Sequence, residues 1–229
     1  MSSVDGRLLN ERWTKPAEGT PAMAPFKVYA TISQELGTDA WMFGKNTLRA
    51  MFPYKFAVTG HPLQGDTPRV FVGERRSRRL FITIDPDADI FYSSSVIRGD
   101  NIVVVLGPNA TEEYLAHLRE RQVSYLVVAD TTDLRHCLET IHTHFGVESV
   151  SVQGGGIING ALLEAGLIDE LSLVIYPGVD GLHGIPSIFD YVGGKTDLPA
   201  EGQSLRLVSV TERDHGVVWL RYRFESAYK

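Results

Sequence analysis

Cysteine is nearly absent. The chain of 229 residues has one, Cys137, which excludes an intramolecular disulfide and any zinc site built from several thiolates, and which suits a reducing compartment such as the cytoplasm. Long apolar runs are missing too. None approaches the roughly 18 residues that a membrane-crossing helix needs, and the opening stretch MSSVDGRLLNERW holds no apolar signal core. Positive charge is in short supply: 22 Lys and Arg stand against 28 Asp and Glu, a net charge of −6. That balance argues against nucleic acid or an anionic membrane as the main partner. No internal repeat and no low-complexity tract breaks the chain. What remains is 43% hydrophobic, long enough for a full core, and expected to form a single domain over residues 1–229.

The stretch from Glu148 to Pro177 carries the strongest signal. Val150-Ser151-Val152 is a short β-rich run. Gly154-Gly155-Gly156 follows, then a segment with helical spacing (Ile158, Leu162, Ala165) that runs to Gly166, then a second β-rich run from Leu171 to Tyr176. Strand, glycine turn, helix and strand make a βαβ unit. Glycines at the turn leave no Cβ in the way, so a ligand can approach the first N–H groups of the helix, and a phosphate or pyrophosphate is the usual visitor. A tight turn needing positive φ is the plainer alternative; three glycines in a row favour the ligand.

A second turn of this kind follows Asp39-Ala40-Trp41-Met42-Phe43, which reads as a buried strand. Gly44 permits close approach there, and Lys45 and Thr47 supply donors; the alternative is an ordinary helix start capped by Asn46 or Thr47. Before it, Pro25 opens a short helix that Gly37 ends. After it, residues 53 to 79 read as irregular, with Pro53, Pro62 and Pro68, and Val70-Phe71-Val72 as an edge strand or arm. Arg75-Arg76-Ser77-Arg78-Arg79 is the one dense basic cluster. It reads as a solvated face, with a phosphate contact as the sharper alternative.

Leu80 to Ile84 and Asn101 to Leu106 read as strands, ending at Asp85-Pro86 and Gly107-Pro108. Thr111 caps a helix whose Leu115 and Leu118 face inward, and Asp133 caps another with the stripe Leu134, Leu138, Ile141, Phe145, closed by Gly146. His136, His142 and His144 lie on that second helix without metal-ligand spacing and are expected to face solvent. Residues 178 to 204 form a long loop. Two alternating runs, joined at Arg213-Asp214-His215-Gly216, finish the chain as a β-hairpin. The order predicts an α/β fold: a mostly parallel central sheet, an antiparallel C-terminal hairpin and helices on both faces. In such sheets ligands bind beyond the C-terminal ends of the strands, where Gly44 and the glycine run fall.

Four segments taken together resemble one family. Ser3-Val4-Asp5-Gly6-Arg7, Asp39 to Thr47, Gln153-Gly154-Gly155-Gly156-Ile157-Ile158-Asn159-Gly160 and Gly166-Leu167-Ile168-Asp169-Glu170-Leu171 look, in this order, like the pyrimidine reductase (C-terminal) domain of the bifunctional riboflavin-biosynthesis deaminase–reductase, a dihydrofolate-reductase-like fold. The resemblance implies an NADPH-dependent oxidoreductase, working as a homodimer, that reduces a phosphoribosylamino-pyrimidine so that the ring-closed ribose becomes a ribityl chain. It assigns Gly44, Lys45, Asn46 and Thr47 to one part of the cofactor and Gly154, Gly155, Gly156 and Ile157 to its pyrophosphate. Thr83 and Asp85 would lie near the adenosine ribose, with Leu106 and Gly107 as further cofactor contacts. Ser3, Asp5 and Gln153 would meet the small-molecule heterocyclic substrate, with Asp5 as candidate proton donor or orienter. Its plainer role is a turn residue bonding its own backbone.

Three departures from the family pattern matter. A deaminase part is expected to be absent, since one cysteine leaves no room for its zinc site. Gln153 stands where the bifunctional enzymes often carry a glutamate, so the acceptor stays and the charge goes. The family strand before the Ser-x-Asp-Gly turn is expected to be absent before Ser2, which would leave a slot in the sheet. Two other readings follow: a dihydrofolate-reductase-like enzyme acting on another pteridine or a small carbonyl or imine compound, and a dinucleotide-binding module without catalysis.

Overall fold

The run DNIVVVL shows how this sequence writes its core. All seven residues from Asp100 to Leu106 are buried, and so are all six from Leu80 to Asp85. A strand covered on both faces has no cause to alternate, and parallel strands are the ones covered on both faces. The computed structural model describes the chain apart from residues 53, 58–59, 62, 64, 66, 68 and 227–229, so the expected breaks at Pro53, Pro62 and Pro68 lie outside the described residues. In chain order the elements begin with α1 (Ala24–Glu35), β1 (Ala40–Phe43), α2 (Lys45–Met51), β2 (Val70–Phe71), β3 (Leu80–Asp85), β4 (Val96–Ile97) and β5 (Asp100–Leu106). They continue with α3 (Glu112–Glu120), β6 (Ser124–Val127), α4 (Leu134–Phe145), β7 (Val150–Val152), α5 (Gly156–Glu164), β8 (Glu170–Ile175), β9 (Gln203–Arg213) and β10 (Val217–Ser226). They fall into two compact units, an inserted one, Thr38–Gly154, and a flanking one made of Met1–Gly37 and Gly155–Lys229.

The inserted unit is built on a sheet of order β2-β6-β5-β3-β1-β7, with β4 paired to β5. Strands β6, β5, β3, β1 and β7 are mutually parallel, and β2 and β4 join antiparallel. Its core is aromatic and aliphatic: Phe43 stacks on Phe81 with centroids 4.6 Å apart, and Tyr114, Leu115, Leu118 and Tyr125 are buried beside them. Each such side chain contributes about 1.5–3 kcal/mol on leaving water. Both capped helices form as their sequences predict. The Thr111 hydroxyl accepts from the Tyr114 N–H, and the Asp133 carboxylate accepts from the His136 N–H. The stripe of α4 differs by one residue: Cys137 is buried where Leu138 was expected, since burial follows Leu134, Cys137, Ile141 and Phe145. Gly146 closes α4 at φ 66°, the left-handed conformation that glycine adopts without strain. His136, His142 and His144 are exposed.

The basic cluster sits where the parallel strands begin. Arg79 pairs with Asp100, Nε to Oδ2 at 2.9 Å, and its guanidinium lies 3.9 Å over the Trp41 ring. Arg75 donates to the carbonyls of Phe145 and Arg78, and Arg76 pairs with Glu74. The cluster braces the N-terminal edge of the sheet, the opposite edge from the one where ligands of parallel sheets bind.

The flanking unit has its own antiparallel sheet, order β8-β10-β9. One face carries Val174, Val217 and Trp219, which pack with Ile32 of α1. The other face is set by the cross-strand rows Leu171–Tyr222–Leu207, Leu173–Leu220–Val210 and Ile175–Val218–Glu212, with Phe224 opposite Leu205. A bulge between Arg221 and Tyr222 keeps the two halves of β9 in phase with this face. Near the chain start Ser2 makes a parallel bridge to Ile175: its N–H donates to Val174 and its carbonyl accepts from Tyr176.

Candidate functional site

The C-terminal edge of the parallel sheet gathers the expected residues of the inserted unit. Gly44 follows β1 and caps α2 with extended backbone, and its N–H donates to the Gly154 carbonyl at 2.9 Å. No side chain caps α2, so neither Asn46, which is exposed, nor the half-buried Thr47 takes that part. Lys45 turns onto the loop after β3. Its Nζ lies 3.0 Å from Asp85 and 3.0 Å from Asp89, and it bonds Asp87 as well. Burial alone would lower its pKa, but the three carboxylates outweigh that and raise it. The same amine and Arg49 hold Asp89 below the usual carboxylate range, against its own burial.

Thr83, Asp85 and Leu106 are all fully buried. Asp85 is a hub. Its Oδ2 accepts the N–H groups of Asp89 and Ile90 at 3.1 and 3.2 Å and lies 3.3 Å from the Tyr114 hydroxyl, while Oδ1 takes Lys45. Its carboxylate is spent on folding the turn after β3. Gly107 is close-packed, since a Cβ there would meet the Pro86 carbonyl at 3.3 Å. Gln153 follows β7: its N–H donates to the Met42 carbonyl and its side-chain amide to the Ser151 hydroxyl at 2.6 Å.

The second set lies on the flanking unit. Asp5 is exposed, yet both of its oxygens are taken. Oδ1 accepts from the Ser3 hydroxyl at 2.6 Å and the Asp180 N–H at 3.1 Å, and Oδ2 accepts from the Gly181 N–H at 2.8 Å. These donors, Ser3 first, bring its pKa down to about 2. With the Ser3 hydroxyl and the 180–181 amides donating to it, the carboxylate is placed to orient Ser3 and that turn. Arg7 donates to the Ile185 carbonyl, and the N–H groups of Leu8 and Ile188 pair with Pro186 and Gly6. The turn at 3–7 and the loop at 180–188 are thus tied together.

The glycine run divides its labour. Gly154 has φ +106°, a conformation that other residues rarely adopt. A Cβ on Gly156 would meet the Ser187 carbonyl at 2.3 Å, and one on Gly160 would meet the Tyr191 N at 2.6 Å. Those two glycines, four apart on one helix face, let the 187–191 backbone lie against α5, and the Asn159 side chain fastens it by donating to Ile188. Gly155 lacks the positive φ of Gly154: it is the N-cap of α5 in extended backbone (φ −83°, ψ −176°), with no side chain capping the helix. Ile157, in the first turn, is 51% exposed. Asn159, Ser187 and Asp190, whose carboxylate accepts from the Ser187 N–H and hydroxyl, were not singled out from the sequence. The i, i+4 glycine pair is the signal that points to their contact.

A doubly covered parallel sheet with glycine turns at its C-terminal edge and an antiparallel hairpin defines the class, an α/β fold of the dihydrofolate-reductase-like type. The chain belongs to the RibD C-terminal domain family, whose model matches residues 1–219. A 2,5-diamino-6-ribosylamino-4(3H)-pyrimidinone 5′-phosphate reductase of Methanothermobacter thermautotrophicus is 30% identical over 159 residues, 68% of this chain and 67% of that protein. Among solved structures, a pyrimidine reductase-like protein from Corynebacterium diphtheriae matches with TM-score 0.64 at 16% identity, covering 98% of this chain and 89% of the other. Acinetobacter baumannii RibD matches with TM-score 0.59 at 18% identity, and there the chain spans 56% of the longer protein.

Proposed function

We propose that the chain is an NADPH-dependent reductase that transfers a hydride to a phosphoribosylamino-pyrimidine of riboflavin biosynthesis, leaving a ribityl chain where the substrate had ring-closed ribose. The observation that carries the reading is Gly155. Its backbone is extended, a conformation any residue adopts, and it opens a nine-residue helix that no side chain caps. α3 and α4, by contrast, are capped by Thr111 and Asp133. A helix start left bare in this way accepts a phosphate oxygen, so these residues fit a pyrophosphate. NADPH, when bound, supplies the hydride. The chain supplies position: the N–H groups at Gly155, Gly156 and Ile157 for the pyrophosphate, the turn at Gly44 for another part of the cofactor, and Ser3 and Gln153 toward the substrate. Asp5, through Ser3 and the 180–181 turn, orients the substrate side.

The family match across residues 1–219 supports treating both units as one reductase domain. We read the protein as a homodimer acting in the cytoplasm. Its single cysteine is buried, and burial pushes the thiol up to about 11.

A titration with NADPH, and NADH in parallel, following emission from Trp13, Trp41 and Trp219, tests the cofactor. Quenching by NADPH is expected, and silence toward both from folded protein overturns the reading. Gly155→Val is expected to abolish that quenching while the unfolding midpoint stays near wild type; normal binding would remove the pyrophosphate from this helix. Lys45→Ala tests a narrower point. Because its amine is held by three carboxylates and Arg75–Arg79 brace the other edge, the NADPH-to-NADH preference is expected to change less than about twofold. A collapse of that preference would put Lys45 on the 2′-phosphate. One observation favours a second reading: both oxygens of Asp5 are taken by Ser3, Asp180 and Gly181, as in a module that binds dinucleotide without turnover. Binding without oxidation of NADPH by any pyrimidine, pteridine or small imine would select it.

A further inference from the structure

We propose that Arg12 is a positioning residue for the substrate: it holds the 178–182 turn, and through that turn Asp5 and Ser3, in the place where the heterocycle binds. The inference rests on the reductase reading above and extends it to a side chain that acts through another residue.

The clasp starts at a short 3₁₀ turn, Asn10–Arg12, which delivers the Arg12 side chain to Asp180. The guanidinium closes on the carboxylate with two bonds, Nε to Oδ2 at 2.9 Å and Nη2 to Oδ1 at 3.2 Å. Lysine cannot make that two-pronged fit. The Asp180 side chain has no exposed surface, while that of Arg12 is 37% exposed. A carboxylate out of water needs its cation, and without Arg12 this one would be driven back to solvent. Asp180 in turn shapes the backbone: its Oδ1 accepts the Leu182 N–H at 3.1 Å, across Gly181 at φ +78°. The amides of Asp180 and Gly181 then take both oxygens of Asp5, and Asp5 holds the Ser3 hydroxyl. Every link from Arg12 to Ser3 is a hydrogen bond between 2.6 and 3.2 Å.

What the turn presents makes it a wall for a ligand as well as a brace. Val4, Val179 and Leu182, the chain neighbours of these polar groups, are 63%, 44% and 50% exposed. Apolar side chains left open around a few fixed polar groups are the usual lining of a small-molecule site, and a planar heterocycle suits them. The rest of the turn is secured without Arg12. The Val4 N–H donates to the Gly178 carbonyl, the Thr14 N–H donates to the Val179 carbonyl, and the Val179 N–H donates to the Thr14 hydroxyl. Loss of Arg12 is therefore expected to free residues 180–182 and the grip on Asp5 while the fold stays.

Steady-state kinetics with NADPH and the phosphoribosylamino-pyrimidine test this, with Arg12→Gln, Asp180→Asn and the two combined. Arg206→Gln, which breaks the exposed Arg206–Glu225 pair of the same unit, is the control. Small misplacements of a substrate cost up to about 100-fold in rate, so Arg12→Gln is expected to lower kcat roughly 10- to 100-fold, with KM changing less. The NADPH dissociation constant, read by tryptophan quenching, is expected to stay within about twofold, since the turn holds none of the proposed cofactor contacts. Arg12→Lys is expected to recover part of the loss, because it restores the charge without the fork. The combined variant is expected to lose no more than Asp180→Asn alone, because Arg12 works through that carboxylate. Wild-type kcat in Arg12→Gln, or losses that multiply in the combined variant, overturns the relay. A parallel loss of NADPH affinity, or an equal loss in Arg206→Gln, marks a general structural effect and overturns it as well. A loss confined to the phosphorylated substrate, and absent with its dephosphorylated form, puts Arg12 on the phosphate and overturns it too. Folded wild type that turns over neither the 2,5-diamino nor the deaminated substrate overturns the reductase reading and the inference with it. Should Arg12→Gln misfold by circular dichroism, Arg12→Lys decides: faster hydrogen exchange confined to the 180–182 amides, with lowered kcat, supports the relay, and unchanged exchange overturns it.

Discussion

The two sheets of this molecule are written in different codes. In the parallel sheet of the inserted unit, β3 and β5 are buried along their whole length, and their sequences, LFITID and DNIVVVL, hardly alternate. In the antiparallel sheet of the flanking unit, β10 alternates strictly, Val217, Trp219 and Arg221 on one face and Val218, Leu220 and Tyr222 on the other. The first sheet is finished when the chain folds. The second has one face on α1 and one face open, so it keeps apolar surface in reserve. The difference teaches where substitutions register: in the parallel sheet they remove buried contacts, and on the open face of the antiparallel sheet they remove few.

Predictions follow that contrast. The largest effect is expected at Asp85, the buried hub after β3. Asp85→Asn leaves Lys45 and the two loop amides with a poorer acceptor, and a broken buried pair costs about 3–5 kcal/mol. Denaturant unfolding measures it, and a loss under about 1 kcal/mol would mean that the turn does not depend on the charge. Next comes a matched pair of leucines. Leu106→Ala in β5 is expected to cost about 2–5 kcal/mol, while Leu207→Ala, on the open face, costs under about 0.5 kcal/mol in the monomer. Equal costs would erase the distinction between the sheets. The smallest effect concerns Asp5, the exposed counterpart of Asp85. Its folded pKa, about 2, lies below the ordinary 3.8, so its stabilisation is present above about pH 4 and is lost as pH falls through about 2. The unfolding midpoints of wild type and Asp5→Asn are expected to differ at pH 6 and to converge on acidification. A gap that holds at about pH 2 would contradict the depressed value.

Much of the fold was legible in the chain. The strands other than β4, the capping residues Thr111 and Asp133, and the terminal hairpin were read from local pattern, because apolar runs and caps act within a few residues. The candidate site was legible in outline only. Gly154, Gly155 and Gly156 look alike in sequence, but a positive φ, the N-cap of α5 and a neighbouring carbonyl give them three different jobs, and the neighbour is Ser187, far along the chain. Lys45 looked like a free cation because its three carboxylates lie on another segment. Arg75 to Arg79 read as a solvated face with a phosphate contact as the alternative, because the sequence does not say which edge of the sheet they occupy. Local physics is readable from one stretch. Pairing between distant stretches is not, and pairing decides which charges remain available to a ligand.

The most direct test of the account is turnover. Purified wild-type protein, NADPH and the phosphoribosylamino-pyrimidine, in its 2,5-diamino and its deaminated form, would be followed by loss of reduced-cofactor absorbance and by appearance of the ribityl product. The account predicts stoichiometric NADPH oxidation with one of the two substrates, abolished in Gly155→Val. Folded protein that binds NADPH yet oxidises none with either substrate would contradict it.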